Sequence, residues 1–192
     1  MSGACLRTVV ADTSALVSLG VPRADADCDT DTAPDPLQYL LTSCDVSVPP
    51  EVVSELQELQ DLTPYRDIHG VAATNVLAAR NHYTVEAPYE LDQTPDSRPT
   101  FGLDDSQTDG VVLANALDLD GYLTDEFGGT NFALVNAALQ GPRIVPTPRL
   151  LCEHDRNYNM AAEEARRLIT TISPHRSWEN SPYVAQLLAH LE

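Results

Sequence analysis

Residues 6–12, with the sequence Leu-Arg-Thr-Val-Val-Ala-Asp, form a short apolar run that ends on an acid. The β-branched residues predict a buried strand, and Asp12 follows at its carboxyl end. A second run, Gly-Tyr-Leu-Thr-Asp over residues 121–125, repeats this arrangement. Because parallel strands of an α/β sheet end at one edge, we expect Asp12 and Asp125 to lie side by side. Converging carboxylates without basic residues are what a divalent cation requires, so a metal-dependent site is the leading hypothesis.

Strand and helix patterns alternate along the chain, which predicts an α/β domain with a parallel sheet. The predicted strands cover residues 6–11, 46–48, 83–85, 121–124 and 144–146, and Pro146 indicates an edge strand. Helices are predicted near residues 14–19, from 36, from 50, and over 66–80, 105–117, 131–139, 159–172 and 182–191. We expect Gly20 and Pro22 to end the first helix, and the acidic segment 23–36 to form a loop.

The composition is strongly acidic and lacks lysine. Twenty-nine Asp and Glu residues face eleven basic residues, all of them arginine. A surplus of carboxylates keeps a protein hydrated, and high salt screens their mutual repulsion. Because lysine is ordinarily among the commonest residues, its absence indicates a cytoplasmic protein of an extreme halophile. Scattered cysteines without CxxC spacing argue against disulfides and a zinc site, and no apolar stretch is long enough to span a membrane.

The helix that begins at Pro49-Pro50 offers one glutamate near its apolar side. At 100° per residue, Val52 and Leu56 share a narrow arc, and Glu55 lies closest to it. We therefore place Glu55 at the cleft beside the sheet edge. On position alone, a solvated glutamate at the helix boundary is an equally good interpretation.

The helix predicted over residues 105–117 carries Asp109 at the centre of its apolar face. A carboxylate there is costly unless it is paired or bound to a cation, so Asp109 is a candidate ligand. Asp105 lies one turn earlier on nearly the same line, and we expect it to cap the helix. After the strand 121–124, Asp125 and Glu126 are both candidates, and the sequence does not decide which side chain points inward.

The order of these segments resembles the PIN domain. The matching pieces are VVADTSAL (residues 9–16), VPPEVVSEL (48–56), an acid on the helix that ends in VVLANAL (111–117), and YLTDE (122–126). The resemblance covers roughly residues 6–150. It implies a three-layer α/β/α sandwich with a central parallel sheet, here over residues 1–155, and residues 156–192 would be a helical extension packed on the same domain.

The resemblance also implies that acids bind Mg²⁺ or Mn²⁺ and hydrolyse phosphodiester bonds, usually of RNA. Carried over by position, Asp12, Glu55, Asp109 and Asp125 are the first to fourth acids. Many relatives open the third motif with Gly-Glu where this chain has Ser106-Gln107, a change that would neutralise one ligand unless Asp109 or Asp105 compensates. In many relatives the fourth acid lies two residues past the threonine, which would select Glu126.

The sequence therefore predicts a metal-dependent endoribonuclease. The main alternative is a PIN-like module with a degraded site that binds nucleic acid or protein, and the pair Ser106-Gln107 supports it. A toxin held by an antitoxin-like protein partner is a third interpretation, and a homodimer is a candidate assembly. No basic patch marks a nucleic-acid surface, but this counts only mildly against RNA because phosphate contacts contribute little affinity in molar salt.

Overall fold

The computed structural model describes residues 6–25, 35–62, 67–158, 160–176 and 178–191. Its strands are β1 (Thr8–Ala11), β2 (Asp45–Val48), β3 (Thr84–Val85), β4 (Gly121–Thr124) and β5 (Arg143–Pro146). They form one parallel sheet in the order β3-β2-β1-β4-β5. The predicted parallel sheet is thus confirmed, with β1 at its centre and β5, which contains Pro146, at an edge.

Helices connect the strands. They are α1 (Thr13–Ala24), α2 (Pro36–Ser43), α3 (Pro50–Leu62), α4 (Ile68–Ala78), α5 (Asp105–Ala116), α6 (Gly129–Ala138), α7 (Thr147–Tyr158), α8 (Ala162–Arg176) and α9 (Pro182–Ala189). None of the helices in the described part of the chain combines the length and apolar character that crossing a membrane requires.

Side chains alternate between the two faces of the sheet and so divide the core. Val9 and Ala11 of β1 belong to the larger apolar cluster, together with residues of α1, α3, α4 and α8. Val10 lies on the opposite face in a smaller cluster with Tyr122 of β4 and residues of α5 and α6. This is the period of two expected of a strand that is buried on both faces. The three-layer α/β/α architecture is therefore as predicted.

Residues at the carboxyl ends of β1 and β4 are in register. Ala11 lies opposite Leu123, and the backbone N–H of Asp12 donates to the carbonyl of Leu123 at 3.0 Å. The ladder thus runs up to the first residue beyond β1. This pairing brings the segment after β1 beside the segment after β4.

The predicted end of α1 was wrong, and one helix was not predicted. Helix α1 does not end at Gly20 but continues through Pro22 to Ala24. Gly20 packs against α4, where an added Cβ would lie 3.0 Å from the carbonyl oxygen of Ala72, so this glycine permits close helix packing instead of ending the helix. Helix α7 was not predicted at all. Its Pro148 stands in the first turn, where proline is tolerated.

The C-terminal segment shares the main core. The apolar cluster that contains the sheet also buries Ile169 of α8, Val184 of α9 and Trp178, which lies between these helices. Cys5, Cys28 and residues 26–34 of the predicted acidic loop lie outside the described residues.

Candidate active-site cleft

A cleft of about 280 Å³ opens beside the carboxyl ends of β1 and β4. In the part of the chain that the structure describes, four acids from four separate segments line it: Asp12, Glu55, Asp104 and Glu126. Arg176 is the one basic residue in this lining among the described residues. We call this feature the acidic cleft.

Asp12 is the most enclosed of these acids, with 4% of its surface exposed. It caps α1, and its Oδ1 accepts hydrogen bonds from the N–H of Ala15 at 2.8 Å and from Ser14 Oγ at 2.7 Å. Burial raises the pKa of Asp12 to about 7, although hydrogen bonds from Thr124, Ala15 and Ser14 favour the charged form. The carboxylate is thus held in one orientation and lacks a cationic partner among the described residues.

Glu55 and Asp104 are also held by local hydrogen bonds. Glu55 accepts a hydrogen bond from Thr13 Oγ1, which ties α3 to the first residue of α1. Asp104 caps α5 by accepting from the N–H of Gln107 at 2.8 Å and from Ser106 Oγ at 3.0 Å. Glu55 therefore faces the cleft from the side of α3, and Asp104 faces it from the start of α5.

Asp104 was missed by the sequence analysis, which assigned the cap of α5 to Asp105. The structure corrects this assignment, because Asp104 is the capping residue and Asp105 is the first residue of the helix. Gln107 follows Asp104 by three positions, as in a capping box. That spacing was the available signal, but the neighbouring acid obscured it.

The structure does not bring Asp109 or Asp105 to the acidic cleft. Asp109 is 1% exposed and binds Arg98 through two hydrogen bonds, from Nε at 2.7 Å and from Nη2 at 2.6 Å. Tyr89 Oη donates a third at 2.5 Å, and Asp105 pairs with Arg98 Nη1 at 2.6 Å. Burial alone would raise the pKa of Asp109, but the bonds from Arg98 and Tyr89 outweigh it and hold the pKa below its ordinary value.

Asp125 and Glu126 diverge at the end of β4. Glu126 lines the acidic cleft, whereas Asp125 accepts hydrogen bonds from Ser18 Oγ and from Arg176 Nε at 3.1 Å. Burial raises the pKa of Asp125, and Arg176 acts in the opposite direction. Of the two, Glu126 is the acid in the cleft lining, and Asp125 anchors the end of α8.

Ser14 connects the two strand ends. Its hydroxyl donates to Asp12 Oδ1 at 2.7 Å and accepts from the backbone N–H of Asp125 at 3.0 Å. The first acid and the backbone that carries the fourth are therefore joined through one side chain. The predicted proximity of the ends of β1 and β4 is realised through Ser14, and the charge of Asp125 contributes to the raised pKa of Asp12.

The donors in the cleft are hard oxygens, the type that Mg²⁺ and Mn²⁺ prefer. Gln107 lines the same cleft, is 7% exposed, and its Oε1 has no hydrogen-bond partner among the described residues. Within the same residues, no three Asp, Glu, His or Cys side chains converge into a ready-made metal-binding group. The donor set thus suits an ion that keeps several waters, as Mg²⁺ does, better than a closed protein cage.

The chain matches no protein-family model, no curated protein and no solved structure.

Replacing Asp12 by Asn should stabilise the metal-free protein at neutral and alkaline pH. A carboxyl with a raised pKa in the folded state holds a proton that the unfolded chain releases, so folding is opposed as pH rises from about 4 to about 7. The gain in free energy of unfolding should be small at about pH 4 and approach at most about 4 kcal/mol above about pH 7. Urea unfolding with a chelator measures it. A stability difference that does not change with pH would contradict the buried, unpaired state of Asp12.

Replacing Arg98 by Met should destabilise the protein by about 3 kcal/mol, because it leaves Asp109 buried with Tyr89 but without a cationic partner. Arg149→Met is the matched control. Arg149 pairs with Glu153 at 2.7 Å on the surface of α7, and loss of such a pair should cost less than about 1 kcal/mol. Denaturant unfolding compares the two variants. Equal stabilities would show that the Asp109 pair is not structural.

Proposed function

We propose that this chain is a metal-dependent endoribonuclease of the PIN-domain type, as the sequence predicts. One observation carries the proposal: four acids from the ends of β1 and β4, the side of α3 and the start of α5 line a single cleft. Ligands of open α/β sheets bind at this edge. Three of the predicted site residues belong to the set, namely Asp12, Glu55 and Glu126, and Asp104 takes the place expected for Asp109.

The residues of the cleft suit a divalent cation. A phosphodiester carries negative charge, and a cleft lined by four acids repels it unless a cation is present. Arg176 does not remove this repulsion, because it already pairs with the carboxylate of Asp125. When bound, Mg²⁺ or Mn²⁺ would lower the pKa of a water and stabilise charge on the phosphate.

The protein's own contribution is orientation. Asp12, Glu55 and Asp104 each accept a hydrogen bond from a neighbouring backbone or hydroxyl group, so their free oxygens are directed before any ligand arrives. Fixed carboxylates cost little reorganisation during reaction, which is how preorganised sites accelerate chemistry. We assign Asp12, Glu55, Asp104 and Glu126 to binding the ion and its waters, with Gln107 as a neutral donor.

Gln107 also favours the alternative function, a PIN-like module that no longer cuts. An amide oxygen contributes no charge, so a site with Gln107 binds a cation more weakly than one with a further carboxylate. Such a module would bind nucleic acid or protein through the same cleft. The position of Asp104 beside Gln107 supplies the missing charge, and for this reason we prefer the nuclease.

Neighbouring aspartates provide a sharp test. Asp104→Asn should lower RNA cleavage by about 10²-fold or more, since an oriented charged group is lost from the site. Asp105→Asn should leave cleavage within about twofold, because Asp105 faces Arg98 outside the cleft. Asparagine caps helices about as well as aspartate, so Asp104→Asn should fold. Asp105 is an exposed residue in the first turn of α5, so Asp105→Asn should fold as well.

Cleavage of single-stranded RNA with Mn²⁺ or Mg²⁺ in molar KCl is the measurement. An equal loss of RNA cleavage in Asp104→Asn and Asp105→Asn would contradict the assignment of Asp104 to the site. Wild-type protein that binds RNA under these conditions but does not cut it would favour the degraded module.

A further inference from the structure

A second cavity, of about 510 Å³, adjoins the acidic cleft. The two share Glu126 and Arg176, so a ligand that leaves the cleft past these residues enters the cavity. Its volume lies within the range of small-molecule sites. Three aromatic residues line it, Phe127 after β4, and Trp178 and Tyr183 from the C-terminal segment. We call it the aromatic cavity.

The aromatic rings form a supported surface. Phe127 lies 5.2 Å from Tyr183 between ring centroids, with a tilt of 32°, and 6.3 Å from Trp178 in an edge-on arrangement. Trp178 is 2% exposed and belongs to the core. Phe127 and Tyr183 are only partly buried. The core thus holds the rings, and two of them keep surface for a ligand.

The charges of the cavity select against an anion. Asp125 and Glu126 both line it, and Arg176 is paired with Asp125. A free phosphate would meet two acids and one cation that is already engaged. A neutral, flat group meets the aromatic surface. The hydroxyl of Ser181 accepts from the N–H of Val184 as the cap of α9, and it still has a hydrogen to donate to the edge of such a group.

We propose that the aromatic cavity binds an unpaired nucleobase of the RNA strand whose phosphate lies in the acidic cleft. The inference rests on the proposed nuclease function and identifies the part of the substrate that this chain recognises. Proteins that bind single-stranded RNA stack splayed bases on aromatic side chains. Here the C-terminal segment supplies two of the three rings, which gives that extension a role in substrate binding.

Stacking also suits a protein of this composition. The chain has eleven arginines, no lysine and a net charge of −18, and contacts between cations and phosphates weaken as salt rises. Contacts between a base and an aromatic ring involve no counterion release and persist in high salt. A base pocket therefore supplies affinity under conditions in which phosphate contacts do not.

The test measures binding of ribonucleosides to wild-type protein by calorimetry, in molar KCl with a chelator. Ribose is the matched ligand that lacks the base, and neither ligand carries a phosphate that the acids would repel. Ribonucleosides should bind at least about tenfold more tightly than ribose, as expected for one stacked base. Trp178 is the only tryptophan in the chain, so a change in its fluorescence on ribonucleoside binding would locate the ligand at the cavity.

Tyr183→Leu keeps apolar volume but removes the ring face, and it should weaken ribonucleoside binding about tenfold. Tyr183→Phe keeps the ring, and Tyr39→Leu removes a tyrosine from α2, outside the cavity lining. Both should bind within about twofold of wild type, since neither removes a stacking surface. Circular dichroism verifies folding. The comparison of the two ligands on wild-type protein needs no variant.

Equal affinity for ribonucleoside and ribose, or unchanged ribonucleoside binding by folded Tyr183→Leu, would overturn the proposal. Because binding is measured without metal, the result is independent of catalysis. Base-dependent binding in a protein that cuts no RNA would refute the nuclease function alone. Cleavage by wild-type protein without base-dependent binding would refute the base pocket alone.

Discussion

The hydrogen bonds of Ser14 hold together the edge of the sheet on which the candidate site depends. Ser14 Oγ donates to Asp12 and accepts from the backbone of Asp125, so the ends of β1 and β4 are fixed relative to each other. Parallel pairing places the two strand ends side by side, but it does not set the positions of the side chains beyond them. The Ser14 hydroxyl contributes to this, together with the N–H of Ala15, which also donates to Asp12. The hydroxyl of Thr124 accepts from the backbone N–H of Glu126 and so helps to position that residue beside Asp12.

Asp109 and Asp12 are both buried, but their surroundings change the pKa in opposite directions. Burial of a carboxylate is costly unless a partner offsets the lost hydration. Asp109 has Arg98 and Tyr89 as partners, and its pKa is held low. Within the described part of the chain, Asp12 has only neutral donors, and its pKa rises to about 7. The first arrangement stabilises the loop that carries Arg98 against α5. The arrangement around Asp12 leaves the charge of its carboxylate to be compensated by a ligand. Such uncompensated buried groups are typical of functional sites.

The sequence predicted the α/β sheet well, because residues 6–12 and 121–125 carry the apolar runs of central strands. It also placed Asp12 at the carboxyl end of β1, since strand position determines that residue directly. Helical phase correctly predicted that Asp109 is buried, but not its partner. Arg98 lies in an irregular segment without periodicity, so no pattern connected the two. Asp104 was missed because adjacent acids make the capping residue ambiguous in a chain this acidic.

The central claim is that the acidic cleft holds a divalent cation. Anomalous diffraction from crystals soaked in Mn²⁺ tests it most directly, because the signal locates the ion without any assumption about activity. The account predicts one or two manganese sites within bonding distance of Asp12 and at least one of Glu55, Asp104 and Glu126. A cleft without manganese at saturating concentration, or manganese bound only elsewhere on the acidic surface, would contradict it.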